Sequence, residues 1–394
     1  MVAMVQICNS THIRKLNAKT KKAMWLGLVF LLVSLVVSPG CTTGTETGTL
    51  TTTPTEPEIV TFPDENLEAA IREHLGKGPT EEIMAAELAT LTIFGANGRG
   101  ITDLTGLEYC SNLTELHLHE NQIGDISHLS NMAKLIFLGL NNNQVIDLSP
   151  LSNCSNLTEL WLADNQISDV SPLSNLTNLS FLHLGGNQIS DISPLSSLTN
   201  LDGLAIYNNQ ISDISILSSL TNLTRLWLFD NPINDFSPLT PLVNLTGELE
   251  LWNMQIADIS FLSSLTNLTR LNLHSNQIVD VSPLSNLTNL EYLQLYNNRI
   301  SDISPLASLT NLRVLHVPRN QVSDISTIST LTNLNELDLH SNQIADINPL
   351  VENSKLGNGD VVYLRDNPLS DESMDVYIPQ LEERGVEIDW SCPP

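Results

Sequence analysis

The chain has 394 residues, with 44 acidic against 17 basic side chains and a formal charge of −27. Residues 1 to 40 hold five of the bases (Arg14, Lys15, Lys19, Lys21 and Lys22) and no acid, so the remainder stands at 12 bases against 44 acids. Such a surface repels a phosphate backbone, which sets nucleic acid aside as a partner.

The first basic stretch ends at Lys22 and gives way to an apolar run, Ala23 to Val37, followed by Ser38-Pro39-Gly40-Cys41. Fifteen apolar positions are short for a membrane-spanning helix and suit a secretory signal, so residues 1–40 are predicted to be a signal peptide and the chain to be exported. Cys41 after a small residue resembles the lipobox of bacterial lipoproteins, in which the thiol takes a diacylglycerol and becomes the mature N-terminus. Ser38 and Pro39 stand where that pattern has a branched apolar and a small residue, and ordinary cleavage or an uncleaved anchor are the alternatives. On the lipobox reading Cys41 is the lipidation site, and the membrane is a partner only through that anchor. Residues 41–57 follow as a tether: nine Thr fall between positions 42 and 57, with no apolar periodicity from which to build a core.

Residues 58–90 read as a helical N-terminal cap. Leu67, Ala70, Ile71 and Leu75 form one helical stripe with Gly76 as its stop, and Pro79 to Leu88 is predicted to be a second short helix. From Leu91 to Leu369 the chain repeats about every 22 residues as LxxLxLxxNxIxDIxPL, as in Leu157, Leu160, Leu162, Asn165, Ile167, Asp169, Val170, Pro172 and Leu173. A period of this size marks units that bury their apolar faces only against neighbours. The length would suggest two or three domains, but a stacked array grows in one dimension, and one repeat domain of about 13 copies (91–369) is expected.

Within each copy the strand alternates, as in Leu116-His117-Leu118-His119, sending Leu inward and its neighbours outward. The tight loop after the strand needs a donor and an acceptor for its buried backbone, which explains the column Asn121, Asn143, Asn165, Asn187, Asn209, Asn231, Asn276, Asn298, Asn320, Asn342 and Asn367. One rung is missing. A one-residue insertion between Leu242 and Leu251 puts Met254 in the Asn position, so either a local bend or mobile patch from Gly247 to Met254 is expected, or Met254 fills the gap. Thirteen acids, from Asp103 and Asp125 to Asp371, occupy a repeated turn position and are read as structural acceptors of local N–H groups. The return segments carry Pro150, Pro172, Pro194, Pro238, Pro283, Pro305 and Pro349, which suit a short helical turn and forbid a strand, so the array should curve only moderately.

Arg99 takes the Asn position in the first, degenerate copy. At the far end, Ser370-Asp371-Glu372 starts a helix, Gly385 ends it, and an extended Val386 to Trp390 should seal the last strand, making 370–394 a C-terminal cap. Cys110 and Cys154 share one repeat position two coils apart, roughly 10 Å at the spacing of stacked strands, too far for a disulfide. They read as small buried hydrophobes. Cys8 falls in the signal and Cys392 has no evident partner.

The repeats from about residue 58 to 390 resemble the 22-residue leucine-rich repeats of the bacterial internalin type. That resemblance implies an α/β solenoid: a leucine-rich repeat array with a concave parallel β-sheet, a convex side of short 3-10 turns and loops, a helical N-terminal cap and a small C-terminal cap. Internalins are cell-surface proteins whose concave faces bind other proteins, often host receptors. No C-terminal sorting signal precedes the final Cys392-Pro393-Pro394, so host invasion is not among the expectations. Similar repeats occur in the regulatory subunit of protein phosphatase 1, so the fold alone names no partner.

Ten of the nineteen Phe, Trp and Tyr residues fall at outward strand positions. Trp, Tyr and Arg are enriched at binding hot spots, which makes Trp161, Phe181, Tyr207, Trp227, Phe229 and Trp252 the core of a predicted ligand surface, with Phe137, His183, Arg225, Tyr292 and Tyr296 beside it. A protein or peptide ligand is expected there. Rings that stack on one another to stiffen the sheet are the structural alternative, and carbohydrate stacking or a structural adhesion module of the cell envelope is another. An intracellular scaffold of the phosphatase-regulatory type would require the N-terminal apolar run to be no signal.

Six of the nine His lie on the same face, and His117 and His119 have a spacing that could hold a metal, but no third ligand is placed. His119-Glu120-Asn121-Gln122-Ile123 begins like a zinc-protease helix but has Ile123 where the second His belongs. No nucleophile elbow, phosphate-binding loop, calcium loop or CxxC pair occurs in the array. The Asn-Leu-Thr triplets match a glycosylation acceptor but are explained by the repeat. A monomeric, non-enzymatic protein without cofactor or metal is expected, anchored to the cell membrane by lipid or carried on the extracellular surface.

Overall fold

A computed structural model describes residues 58 to 390; the predicted signal, the lipidation candidate Cys41, the tether to residue 57 and Cys392 lie outside the described residues. Fourteen three-residue strands, β1 (Ile93–Gly95) to β14 (Glu387–Asp389), form a parallel sheet in sequential order. Register follows the repeat, with Glu159↔Phe181, Leu160↔Leu182 and Trp161↔His183 as one example. Parallel pairing is forced because each coil crosses the convex side before starting the next strand. The inward residues, among them Leu116, Leu138, Leu160, Leu182, Leu204 and Leu226, are fully buried and belong to one continuous core. Each stabilises the stack by about 1.5 to 3 kcal/mol, and only while neighbouring coils cover it.

The convex side is made of 3-10 turns such as Ser149–Asn153 and Ser171–Leu173, with Pro in the first turn. The repeated Asp caps them: Asp169 Oδ1 accepts from Ser171 N at 2.8 Å, and the same bond recurs from Asp103 to Asp346. Asp371 differs from the other turn acids, lying at the start of the C-terminal helical segment.

The Asn column works as expected. Asn165 Nδ2 donates to Leu140 O at 3.0 Å and Leu162 O at 3.1 Å, while its Oδ1 accepts from Val145 N at 2.9 Å, so one carboxamide ties two coils. The residue before the Asn has positive φ in copy after copy, as at Glu120, Asp164, Asp230 and Asn297. A second column went unread in the sequence: Asn178, Asn200 and Asn222 each donate Nδ2 to a carbonyl of the preceding coil (Ser155, Thr177 and Thr199) at 2.8 Å. Asn222 is also the Asn of an Asn-Leu-Thr triplet, and its carboxamide is structural.

At the missing rung both expectations meet. Met254, 5% exposed, fills the Asn slot, and the backbone departs locally, with Gln255 joining Asn253 at positive φ. Strands β7 (Arg225–Trp227) and β8 (Glu248–Glu250) keep only the pairs Leu226↔Leu249 and Trp227↔Glu250. Ile233 N–H accordingly lacks the carboxamide acceptor that Ile211 N–H finds in Asn231.

The N-terminal cap is led by α1 (Glu65–Leu75), which buries Leu67, Ala70 and Ile71 and ends at Gly76 with φ 67°. Its N-cap, Asp64, accepts from Asn66 N (2.9 Å) and Leu67 N (3.0 Å) with one oxygen. The other oxygen accepts from Thr102 N (2.7 Å), Thr102 Oγ1 (2.9 Å) and Asp103 N (3.1 Å), joining the helix to the first coil. Burial pushes this carboxyl upward, but the bonds from Thr102, Leu67 and Asp103 outweigh it and hold it below the ordinary carboxylate value. Arg99, in the degenerate Asn position, reaches back to Glu73 Oε2 at 2.7 Å.

The second predicted helix is a correction. Only α2 (Ala85–Leu88) is helical, because Ile83 and Met84 are drawn into an antiparallel bridge with the segment at Ile59: Val60 N donates to Ile83 O at 2.8 Å. Arg72 holds the preceding turn by donating to Gly78 O and Glu81 O. At the other end α3 (Asn348–Glu352) replaces a 3-10 turn, and a π-helical turn, Ser373–Tyr377, runs into α4 (Ile378–Glu383). Beyond Gly385, β14 pairs with β13 (Val361–Tyr363), which seals that strand as expected. Cys110 and Cys154 are free and buried, their thiols pushed by burial up to about 12 and about 11.

Candidate ligand-binding surface

Alternation gives each coil three outward positions, and the coils align them in three rows. All eleven residues singled out in the sequence lie on this face. Their rings are half-buried and Arg225 is exposed. The rings lean on one another and on small neighbours.

Around Trp161 the rings meet at an angle, while Phe137 stacks on His117 at 4.5 Å and 29°. Trp161 lies 5.1 Å from Phe181 at 37°, 6.4 Å from Phe137 at 42° and 5.6 Å from His183 at 72°. Phe181 meets Trp227 edge-on at 6.2 Å, and Arg225 stands over Phe181 at 5.4 Å. The floor beneath is made of buried Gly139, Ala163, Gly185, Gly203 and Ala205. Glycine is needed where a ring lies on the backbone: a Cβ on Gly203 would come within 2.5 Å of Phe181, and one on Gly185 within 2.4 Å of Tyr207.

Along the third row the rings stack instead. Tyr207, Phe229, Trp252, His274 and Tyr296 follow one another at 4.3, 4.0, 4.9 and 4.0 Å with interplanar angles of 10° to 17°. Here the structural alternative of stacked rings has direct support. Tyr292 stands apart, under Arg270 at 4.4 Å.

The C-terminal part of the face is polar. Asn272 Nδ2 donates to Glu250 Oε2 at 2.7 Å, Gln294 donates to Tyr292 OH, and His316 Nε2 lies 2.9 Å from Glu336 Oε1. Burial sets the ionisation of the floor. It pushes His183 down to about 4, with a smaller push from His119, and His274 down to about 4. It also pushes Tyr207 and Tyr296 up to about 12 and Glu250 up to about 7. His183 Nε2 meets Tyr207 OH at 3.1 Å while its buried Nδ1 has no partner.

His117 pairs with Glu115 at 3.6 Å, and the ring of His119 lies where a Cβ of Gly139 would be. Among the described residues no group of three or more His, Cys, Asp and Glu is arranged to hold a metal. Sequence reasoning missed three things: His274 as a member of the stack, the glycines as its bedding, and Glu250 as an acid among rings. The available signal was a small residue on one strand beside a large ring at the same row of the next.

The family model for Leucine Rich repeats (2 copies) matches seven stretches between residues 133 and 352, and a single-repeat model matches residues 109–126. Internalin H of Listeria monocytogenes is 38% identical over 73 residues, which is 18% of this chain and 13% of that protein's length. The crystal structure of an internalin, InlF, from the same species superposes with a TM-score of 0.78 at 37% identity, covering 84% of this chain and 96% of that one. A leucine-rich repeat protein of Leptospira interrogans follows at TM-score 0.68 and 26% identity, covering 75% and 83%. Repeats of this type generally serve as protein-binding modules and typically as non-enzymatic scaffolds. With 37% identity to an internalin covered over 96% of its length, the same fold, and family matches along most of the array, the chain belongs to the internalin-type leucine-rich repeat family.

Proposed function

We propose that the concave face binds a protein or peptide ligand, with the tilted group of Trp161, Phe181 and Trp227 as its centre and Phe137, His183, Tyr207 and Arg225 around it. The observation that carries this reading is the tilt. A ring met at 37° or more keeps part of its face uncovered, and flat half-buried indoles over a glycine floor offer large contact area at low entropic cost. Internalins are secreted or surface-associated bacterial proteins, which fits export through the apolar N-terminal run and tethering at Cys41.

The test is capture from cell-surface extracts by the chain and by its Trp161→Ala/Trp227→Ala double variant. Capture should be abolished by the double substitution and by prior protease digestion of the extract. Capture that survives both, or that is lost only after periodate treatment of glycans, overturns the reading in favour of a carbohydrate module. Radiolabelled palmitate should enter the chain and be absent from Cys41→Ala; label that persists in the variant rules out the anchor.

A further inference from the structure

Beside the tilted rings sits an acid with an unusual environment. Glu250 is the register neighbour of Trp227 on β7, lies two residues before Trp252 on the same face, and faces Asn272 on β9 (Arg270–Asn272). Its carboxylate therefore lies in a notch between Trp227 and Asn272, whose Nδ2 donates to it at 2.7 Å, closed by Trp252, which also hydrogen-bonds to it.

The cations of this part of the face are already engaged. Arg225 pairs with Asp202 at 2.9 Å and Arg270 with Glu248 at 2.9 Å, and among the described residues Glu250 makes no ion pair. A half-buried carboxylate without a cation is costly, and the notch carries the charge that a complementary group would neutralise. Trp252 is sandwiched between Phe229 and His274, but Trp227 is met only edge-on by Phe181, and its indole face attracts a cation as well, so carboxylate and Trp227 favour the same occupant.

We propose that the notch formed by Trp227, Glu250 and Trp252 seats a cationic side chain, Lys or Arg, of the protein ligand. This rests on the concave-face reading and deepens it by naming the chemistry of one contact. Arginine or lysine inserted there gains the carboxylate and the face of Trp227 together, while a neutral or acidic side chain leaves Glu250 without an ion pair.

Ionisation provides a readout that packing alone does not move. Burial raises Glu250 to about 7, with a further push from Glu248, against the hydrogen bonds from Asn272 and Trp252 and the Arg270 charge, which favour the ionised form. The other titratable groups facing it are Glu248 on its own strand, Arg270, Tyr292 and Tyr296 beyond it, and Arg225 on β7, held by Asp202. Neither tyrosine loses its proton near neutrality, both being raised. A carboxyl titrating at about 7 goes from roughly one-eleventh to ten-elevenths ionised between pH 6 and pH 8, so a cation that needs the ionised form binds about tenfold tighter at pH 8.

The probe is n-butylammonium, with 1-pentanol as its neutral counterpart, titrated into the full chain and followed at the indole N–H resonances of Trp227 and Trp252, with Trp161 and Trp390 as references. Saturable shifts confined to Trp227 and Trp252 are expected for the ammonium, about tenfold tighter at pH 8 than at pH 6. In Glu250→Gln the affinity should fall at least tenfold at pH 8 and lose its pH dependence. Equal binding by Glu250→Gln, equal shifts with pentanol, or no shift with the ammonium each overturn the proposal. Because ring-dependent capture by the Trp161/Trp227 pair is measured separately, this notch can fail while the concave-face reading stands.

Discussion

Two groups of aromatic rings share one sheet and pack by different rules. In the third row, Phe229 has Tyr207 on one face at 4.3 Å and Trp252 on the other at 4.0 Å, both nearly parallel, so it offers a ligand little but its edge. In the tilted group, Trp161 meets Phe181, Phe137 and His183 at 37° to 72° and keeps face area uncovered. The lesson is that aromatic content at outward positions does not measure a binding surface. Rings that cover each other stabilise the sheet, and rings that cannot do so remain for a partner.

The strongest way to break this contrast is to remove a ring from the middle of the stack. Trp252→Ala uncovers Phe229 on one side and His274 on the other, losing two stacked neighbours and the indole's own burial. We expect a loss of about 2 to 3 kcal/mol in urea unfolding, against about 1 kcal/mol for Trp161→Ala, whose neighbours meet it only at an angle. Equal losses would show that both groups are structural. The reverse order would make the stack the exposed surface.

A smaller effect is expected where the two groups join. His183 of the tilted group bonds Tyr207, the first ring of the stack, and Tyr207 lies on Gly185. Gly185→Ala places a Cβ within 2.4 Å of that ring, which must lift from the sheet and lose the bond to His183. The cost should be about 1 to 2 kcal/mol, measured by urea unfolding. Gly124→Ala, whose Cβ would meet only a backbone oxygen at 3.7 Å, serves as the control. A matching loss in both would remove the idea that ring bedding is the reason for glycine.

These differences mark the limit of what the amino-acid pattern discloses. The coil length, the inward Leu column and the Asn165-type column were legible because each is one residue type required at one position of every copy. The eleven surface residues were legible as outward-facing for the same reason. Ring angles were not, since they follow from which small residue of the adjacent coil lies beneath each ring, as Gly203 does beneath Phe181. Pro79 to Leu88 misled because its helical stripe was outcompeted by a backbone bridge to a segment more than twenty residues away, at Ile59. Glu250 was visible as outward but not as unpaired, because its charge balance depends on Arg270 choosing Glu248.

The smallest effect near neutrality comes from acid, and it reaches both groups through one histidine each. Burial holds His183 in the tilted group and His274 in the stack at about 4, below the value of about 6.5 in an unfolded chain. A depressed histidine favours proton uptake by the unfolded state, so its contribution is complete above pH 6.5 and is lost as pH falls from there toward 4. At pH 6 the loss is about 1 kcal/mol for each group. His274→Gln, which leaves the stack one imidazole short but removes a proton acceptor, should unfold with a shallower pH dependence between 6.5 and 5 than the parent chain. His183→Gln should do the same while keeping the stack from Tyr207 to Tyr296 intact. If the pH slope survives both substitutions together, the buried imidazoles are not its source; Asp64, held below the ordinary carboxylate value by its five hydrogen bonds, titrates at more acid pH and cannot supply a slope in this window.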